Sequence, residues 1–186
     1  MKMKKNYVTF YKSGKAAFAL IWHAAPEFRL LKLFLEGAES LEKQINSQYP
    51  NACSGKSPEA DELSVKIRKY LASSNDNLPI DMLELSSLGN FKRKILFTLR
   101  DKVPPGKVIS YSGLAAKAGY EKAARATGTV MSGNPFPLFF PCHRVVKSDR
   151  GIGNFGPGVG LKRYLLNKEG VVLAAKGAVP ERYFVK

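Results

Sequence analysis

Between Asn134 and Gly158 the chain is punctuated so densely that no long helix or strand can run through it. Asn134-Pro135-Phe136-Pro137 leads in, and Gly151-Ile152-Gly153-Asn154-Phe155-Gly156-Pro157-Gly158 leads out with four glycines in eight residues. Proline fixes φ and removes a backbone donor, while glycine opens the left-handed region. Between these two stretches lies the run Pro141-Cys142-His143-Arg144-Val145-Val146. A segment with a stiff entry and a glycine-rich exit is a shaped loop whose backbone a ligand can approach closely.

That loop sets one of two thiols beside one of two imidazoles. A free cysteine among Phe139, Phe140, Val145 and Val146 is in general more often a small buried hydrophobe than a catalyst. The loop context turns the reading towards a nucleophile, because a thiolate needs a nearby base or positive field. Arg144, Lys147 and Arg150 are expected to oppose protonation of Cys142. Cys53 lies in the polar stretch from Pro50 to Pro58, without an adjoining histidine or basic cluster, and reads as a loop thiol. Two cysteines give no disulfide framework, and His23 and His143 lie too far apart for a compact zinc spacing, so no metal is expected. No apolar run reaches the length of a membrane span, and the lysine-rich start lacks a secretory apolar stretch. A soluble intracellular protein is the expectation.

Charge narrows the partner. Residues 1–90 hold 12 Lys and Arg against 10 Asp and Glu, whereas residues 91–186 hold 18 against 5, so the halves carry +2 and +13 of the net +15. An excess so confined favours a polyanion, since each neutralised phosphate releases counterions. The cysteine lies in the basic half.

The patterning predicts an α/β (α+β) chain in two domains. Apolar runs over 7–35, broken at Lys12-Ser13-Gly14-Lys15 and at Pro26-Glu27, predict a small antiparallel sheet of three strands. Helices are predicted near 38–48 and near 58–72, the latter from Leu63, Ile67, Tyr70 and Leu71. The polar, turn-rich stretch 73–80 places the boundary before Gly89, with the first domain at 1–88, including a linker near 73–88, and the second at 89–186. In the second domain Phe91, Ile95, Leu96 and Leu99 form a helical stripe ended by Pro104-Pro105-Gly106. A short helix capped by Ser110 and closed by Gly119 follows, then a second over Glu121–Met131 displaying Lys122 and Arg125. Two short helices joined by a glycine-containing turn in a strongly basic domain suggest a helix-turn-helix.

Tyr111, Ala123-Ala124-Arg125-Ala126, Asn134-Pro135, Pro141-Cys142-His143-Arg144-Val145-Val146, Gly153-Asn154-Phe155 and Leu165-Leu166-Asn167-Lys168-Glu169-Gly170 together resemble the O6-alkylguanine-DNA alkyltransferases, densely from Phe91 to Gly170. The resemblance implies a ribonuclease-H-like N-terminal domain and a mainly helical C-terminal domain with a winged helix-turn-helix. It implies direct reversal of O6-alkylguanine, with O4-alkylthymine as a second substrate, by irreversible transfer of the alkyl group to the protein's own cysteine. No cofactor is implied. The implied partner is double-stranded DNA bound by a monomer, with cooperativity on DNA left open, in the cytoplasm, or the nucleus in a eukaryote.

Position by position, the resemblance makes Cys142 the acceptor, His143 a base acting through a water, and Glu169 the carboxylate orienting it. Asn134 becomes the hinge and Tyr111 the hydroxyl donor to guanine N3. Arg125 becomes the finger that enters the base stack, with Ala124, Lys122, Ser110 and Thr127 on the DNA. Val145, Gly153, Asn154, Phe155, Gly156 and Met131 line the base pocket, with backbone atoms at Cys142, Val145 and Gly156 reading the flipped base. Gly156 replaces a small hydroxyl residue frequent in relatives, and Pro157 stiffens the loop beside it. Competing readings are a non-catalytic lesion-binding protein of the same fold, which would lack the acceptor cysteine, a cysteine hydrolase, and a dimeric helix-turn-helix regulator.

Overall fold

A computed structural model describes residues 5–13, 16–24, 26–73 and 78–185. It is a mixed α+β structure. Strands β1 (Tyr7–Ser13), β2 (Ala16–His23) and β3 (Arg29–Leu35) pair antiparallel, with Tyr7 opposite Trp22 and Phe18 opposite Leu35. Helix α1 (Leu41–Gln48) follows, then β4 (Cys53–Ser54) and α2 (Pro58–Ser73). Of the two expected turns, Gly14-Lys15 lies outside the described residues, as does 74–77 of the polar stretch.

The sheet is larger than the predicted meander. β4 adds to β1 in parallel, giving the order β3-β2-β1-β4. Cys53, expected in a loop, is therefore a short edge strand, tied by its N–H to the Asn6 carbonyl at 3.0 Å.

Side chains alternate across a strand, and β2 uses both faces. Phe18, Leu20 and Trp22 pack with Leu63, Ile67 and Tyr70 of α2, while Ala19 and Ile21 pack with Leu41 and Ile45 of α1. The first cluster continues without interruption into Ile95, Leu99, Phe139 and Leu165 of the basic half. The stretch read as a linker takes part as well. Leu78, Leu83 and Leu88 are buried, and Leu30 exchanges backbone bonds of 2.8 Å with Met82 and Glu84.

The second half begins with α3 (Asn90–Lys102), followed by β5 (Ile109–Ser110), α4 (Tyr111–Lys117) and α5 (Ala124–Ser132). A 3-10 turn (Cys142–Arg144) leads into β6 (Val145–Val146), and α6 (Val159–Lys168) closes the site. Helix α5 starts three residues later than predicted. Lys122 takes a left-handed φ of 64°, so it belongs to the turn before α5 and is not displayed on the helix.

Two backbone contacts bind the halves at the loop. Leu33 N–H donates to the Pro135 carbonyl at 2.9 Å, and Ala38 N–H to the Pro157 carbonyl at 3.1 Å. Beside the second, a Cβ placed on Gly37 would fall 1.6 Å from the Pro157 oxygen. Only a residue without a side chain fits there unless one half shifts. We expect Gly37→Ala to lower unfolding free energy by about 1–3 kcal/mol, the usual cost of overpacking. Urea denaturation measures this, and an unchanged midpoint would mean that the two halves are not in contact there.

Candidate active site around Cys142

The parallel pair β5–β6 builds the site: Ile109 opposite Val145 and Ser110 opposite Val146 bring the start of α4 beside the cysteine turn. Ser110 caps α4, its hydroxyl accepting from Gly113 N–H at 3.0 Å. Tyr111, the first residue of that helix, thereby faces Cys142 across a cavity of about 330 Å³. Met131 of α5, with Asn154, Phe155 and Gly156 of the loop, completes the walls.

Asn134 fixes the cysteine from behind. Its Oδ1 accepts from Phe136 N–H at 3.0 Å, and its Nδ2 donates to the Phe140 carbonyl at 2.8 Å and to Cys142 Sγ at 3.2 Å. One amide side chain thus closes the Pro135–Phe140 turn and aims a donor at the sulfur. Cys142 is 7% exposed, and that exposed edge opens into the cavity.

The next two residues turn the other way. His143 is fully buried, and its Nε2 donates to Glu169 Oε1 at 2.7 Å. Its Nδ1 has no protein partner among the described residues. Arg144 Nε donates to both Glu169 oxygens at 3.0 and 3.1 Å, and Nη2 donates to Oε1 at 2.9 Å. The guanidinium also reaches the Val103 carbonyl at 2.7 Å and the Tyr70 hydroxyl of α2 at 3.3 Å. Burial pushes the Glu169 carboxyl up, but its contacts with His143 and Arg144 prevail and hold it at about 2. Burial keeps His143 below its ordinary value, so the ring is a neutral donor at Nε2 with a lone pair at Nδ1.

These contacts correct the expectation about the field on the thiol. Arg144 is spent on Glu169, and Lys147 and Arg150 point to solvent. Burial raises the Cys142 thiol above its ordinary value, opposed by the Asn134 donor and then by Lys162. The resting sulfur is therefore held as a thiol. Lys162, on α6, is fully buried and donates to the carbonyls of Val145 at 2.6 Å and Asn154 at 3.2 Å. Burial draws its ammonium down to about 8, while the cysteine opposes the shift. Gly153, at φ +73°, lets the loop pass it: a Cβ there would lie 3.7 Å from both Lys162 Nζ and the Tyr111 hydroxyl.

Lys162 and Tyr70 were not singled out from sequence. The signal for Lys162 was present: Lys162, Leu165, Leu166 and Glu169 recur at helical spacing, setting charges at both ends of an apolar stripe. Tyr70 offered none beyond its place among core residues.

Arg125 is exposed on α5, at the edge of a second hollow of about 390 Å³ that shares Tyr111 and Gly128 with the first. Ala124 lies beside it half-buried, and Lys122 is exposed in the preceding turn. Thr127, expected on the DNA, is fully buried on the inward face of α5, so its side chain cannot reach an outside partner. Ser110 is occupied as a helix cap. Val145 is buried and offers only its backbone to the site. A larger hollow of about 520 Å³, near Pro104, Lys107 and Phe184, shares no residue with these two. Among the described residues no three His, Cys, Asp or Glu side chains cluster as metal ligands, and no helix is long and apolar enough to cross a membrane.

Residues 90–171 match the family model described as the DNA-binding domain of 6-O-methylguanine DNA methyltransferase. The human methylated-DNA–protein-cysteine methyltransferase is 49% identical over 88 residues, covering 47% of this chain and 42% of that protein. The protein of that name from Methanothermobacter thermautotrophicus is 36% identical over 107 residues, 58% of this chain and 59% of the relative. The chain thus spans about half the length of these curated relatives. Over the whole fold, the crystal structure of O6-methylguanine-DNA methyltransferase from Pyrococcus kodakaraensis superposes with a TM-score of 0.71 at 26% identity, covering 89% of this chain and 99% of that one.

The Glu169 contacts predict an acid limb. A carboxyl held at about 2 when folded, against an ordinary 4.5, adds stability that is complete above pH 4.5 and lost as pH falls to about 2. Glu169→Gln leaves Arg144 buried without its counter-ion, so we expect a loss on the order of 3–5 kcal/mol at neutral pH and a flattened acid limb. Denaturant midpoints between pH 2 and 7 test this, and an acid limb unaltered by the substitution would assign it elsewhere.

Proposed function

We propose that this chain, whose residues 90–171 match the DNA-binding domain of 6-O-methylguanine DNA methyltransferase, belongs to the O6-alkylguanine-DNA alkyltransferase family and repairs DNA by moving an O6-alkyl group from guanine onto Cys142. The observation that carries this reading is the placement of a hydrogen-bonded thiol in the wall of a cavity faced by a tyrosine hydroxyl, with a buried His143–Glu169 pair directly behind it. The target atom is hidden inside duplex DNA, so the nucleotide must rotate out, at a cost of a few kcal/mol that is least for weakened pairs.

In this scheme the Cys142 proton passes through a water to the free lone pair of His143 Nδ1, while Nε2–H stays on Glu169. The sulfur attacks the alkyl carbon, the S–C bond forms as C–O6 breaks, and the bonding pair passes to the purine. The Tyr111 hydroxyl stabilises that charge at N3, as a donor placed where charge develops, and the base regains a proton overall. The product is a thioether, which has no carbonyl for water to attack. One protein molecule is therefore consumed per lesion.

The finer architecture belongs to the same proposal: a ribonuclease-H-like domain over 1–88, and over 89–186 a helical domain in which α4 and α5 form a winged helix-turn-helix. We assign Arg125 to the space left by the everted nucleotide, with Ala124 and the exposed Lys122 on the duplex, and the cytoplasm or nucleus as the place of work.

Mixing the protein with a duplex containing O6-methylguanine and measuring intact mass is expected to show a gain of one methylene per molecule. Peptide mapping places it on Cys142, and Cys142→Ala abolishes it. Repeated release of product from unmodified protein would instead indicate a hydrolase. Arg125→Ala is expected to slow repair in duplex by at least tenfold while changing reaction with free O6-methylguanine base less than twofold. Equal losses on the two substrates would remove Arg125 from the finger role.

A further inference from the structure

A second opening, which Tyr111 does not line, also reaches Cys142. This groove, about 230 Å³, runs between the halves and joins Cys142, Ser132 and Gly156 to Lys32 of β3 and to Gln44 and Gln48 of α1. It shares Cys142, Met131, Ser132, Phe155 and Gly156 with the base cavity, so a group attached to O6 of a base lying there can extend past the sulfur into it. Resting on the alkyl-transfer reading above, we propose that this groove receives O6 substituents ending in an anion, such as a carboxylate, and that Lys32 is the specificity-determining residue that pairs with it.

The charge in the groove is uncompensated. Lys32 Nζ donates to Gln48 Oε1 and lies 4.8 Å above the Phe34 ring, which leaves two of its three N–H groups. Burial, and then the charge of Lys92, press the Lys32 ammonium below its ordinary value. Lys92 is anchored on the Gly133 carbonyl at 2.6 Å, next to Ser132 in the groove wall. The acidic residue on the groove, Glu39, is turned to Lys43 at 3.3 Å. Among the described residues neither Lys32 nor Lys92 is ion-paired with a carboxylate. A half-enclosed cation of this kind attracts an anion more strongly than one on an open surface.

The position is fixed relative to the sulfur. Lys32 precedes Leu33, whose N–H holds the Pro135 carbonyl, and Pro135 follows Asn134, which donates to Cys142. Gln44 and Gln48 stand one turn apart on the polar face of α1, whose other face buries Leu41 and Ile45. Gln44 Nε2 is fixed on the Glu39 carbonyl at 2.9 Å. A carboxymethyl group would transfer as methyl does: the S–CH2 bond forms, CH2–O6 breaks, and its electron pair passes to the purine. The carboxylate takes no part in the bond change and serves as the handle that Lys32 holds.

The test compares O6-carboxymethylguanine with the neutral, equally sized O6-carbamoylmethylguanine, each in the same duplex and as free base, with O6-methylguanine reporting the amount of competent protein. The wild-type protein is expected to prefer carboxymethyl over carbamoylmethyl, and Lys32→Gln to lower that ratio at least tenfold on both duplex and free base, with Lys32→Arg restoring most of it. A ratio unaffected by Lys32→Gln overturns the inference while leaving methyl transfer intact. A uniform loss on all duplex substrates but on no free base also overturns it, by making Lys32 a contact to the phosphate backbone. Wild-type protein that fails to transfer even methyl to Cys142 would instead defeat the underlying reading, and this inference with it.

Discussion

The Glu169 carboxylate, gripped at once by His143 and Arg144, is the contact around which the rest of the site is arranged. Three consecutive residues diverge from one 3-10 turn: the sulfur into the cavity, the imidazole and guanidinium back into the protein. A charged arginine is tolerable there only because the carboxylate, the Val103 carbonyl and the Tyr70 hydroxyl take up its donors. The same carboxylate fixes which imidazole nitrogen carries the proton. An anion at the C-terminal end of α6 opposes that helix's dipole, a cost the double pairing outweighs.

Around this anchor, backbone geometry places everything else. The β5–β6 pair sets Tyr111 against the cysteine, and the Asn134 amide holds the turn that presents the sulfur. The positive φ of Gly153 lets the loop pass close to both Lys162 and Tyr111. The N-terminal half contributes Tyr70 beneath the buried charges and β3 with the β3–α1 turn against the loop. The hollows at Cys142 thus have walls from both halves.

Much of this was legible in the amino-acid order, for identifiable reasons. An apolar run through Phe18–Trp22 bounded by turn residues, and helical spacing over Leu63–Leu71, are strong signals, and they located β2 and α2. Cys53-Ser54 carries no periodicity, being two residues among polar neighbours, so the fourth strand was invisible. Lys122 adopts a left-handed conformation that sequence does not advertise, which moved the start of α5. Charge was the less reliable guide. The basic residues near Cys142 along the chain face away from it, whereas the cation that faces it, Lys162, is twenty residues further on. Thr127 shows the same limit, since its helix was found but its side faces inward.

The bonds from Leu33 to Pro135 and from Ala38 to Pro157, together with the Tyr70 hydroxyl at Arg144, tie the mechanical integrity of the pocket to strands far from the chemistry. These contacts bridge the seam seen in composition: loosening the edge of β3 is expected to release the loop that shapes the cavity at Cys142, and amide protection in the two should rise and fall together.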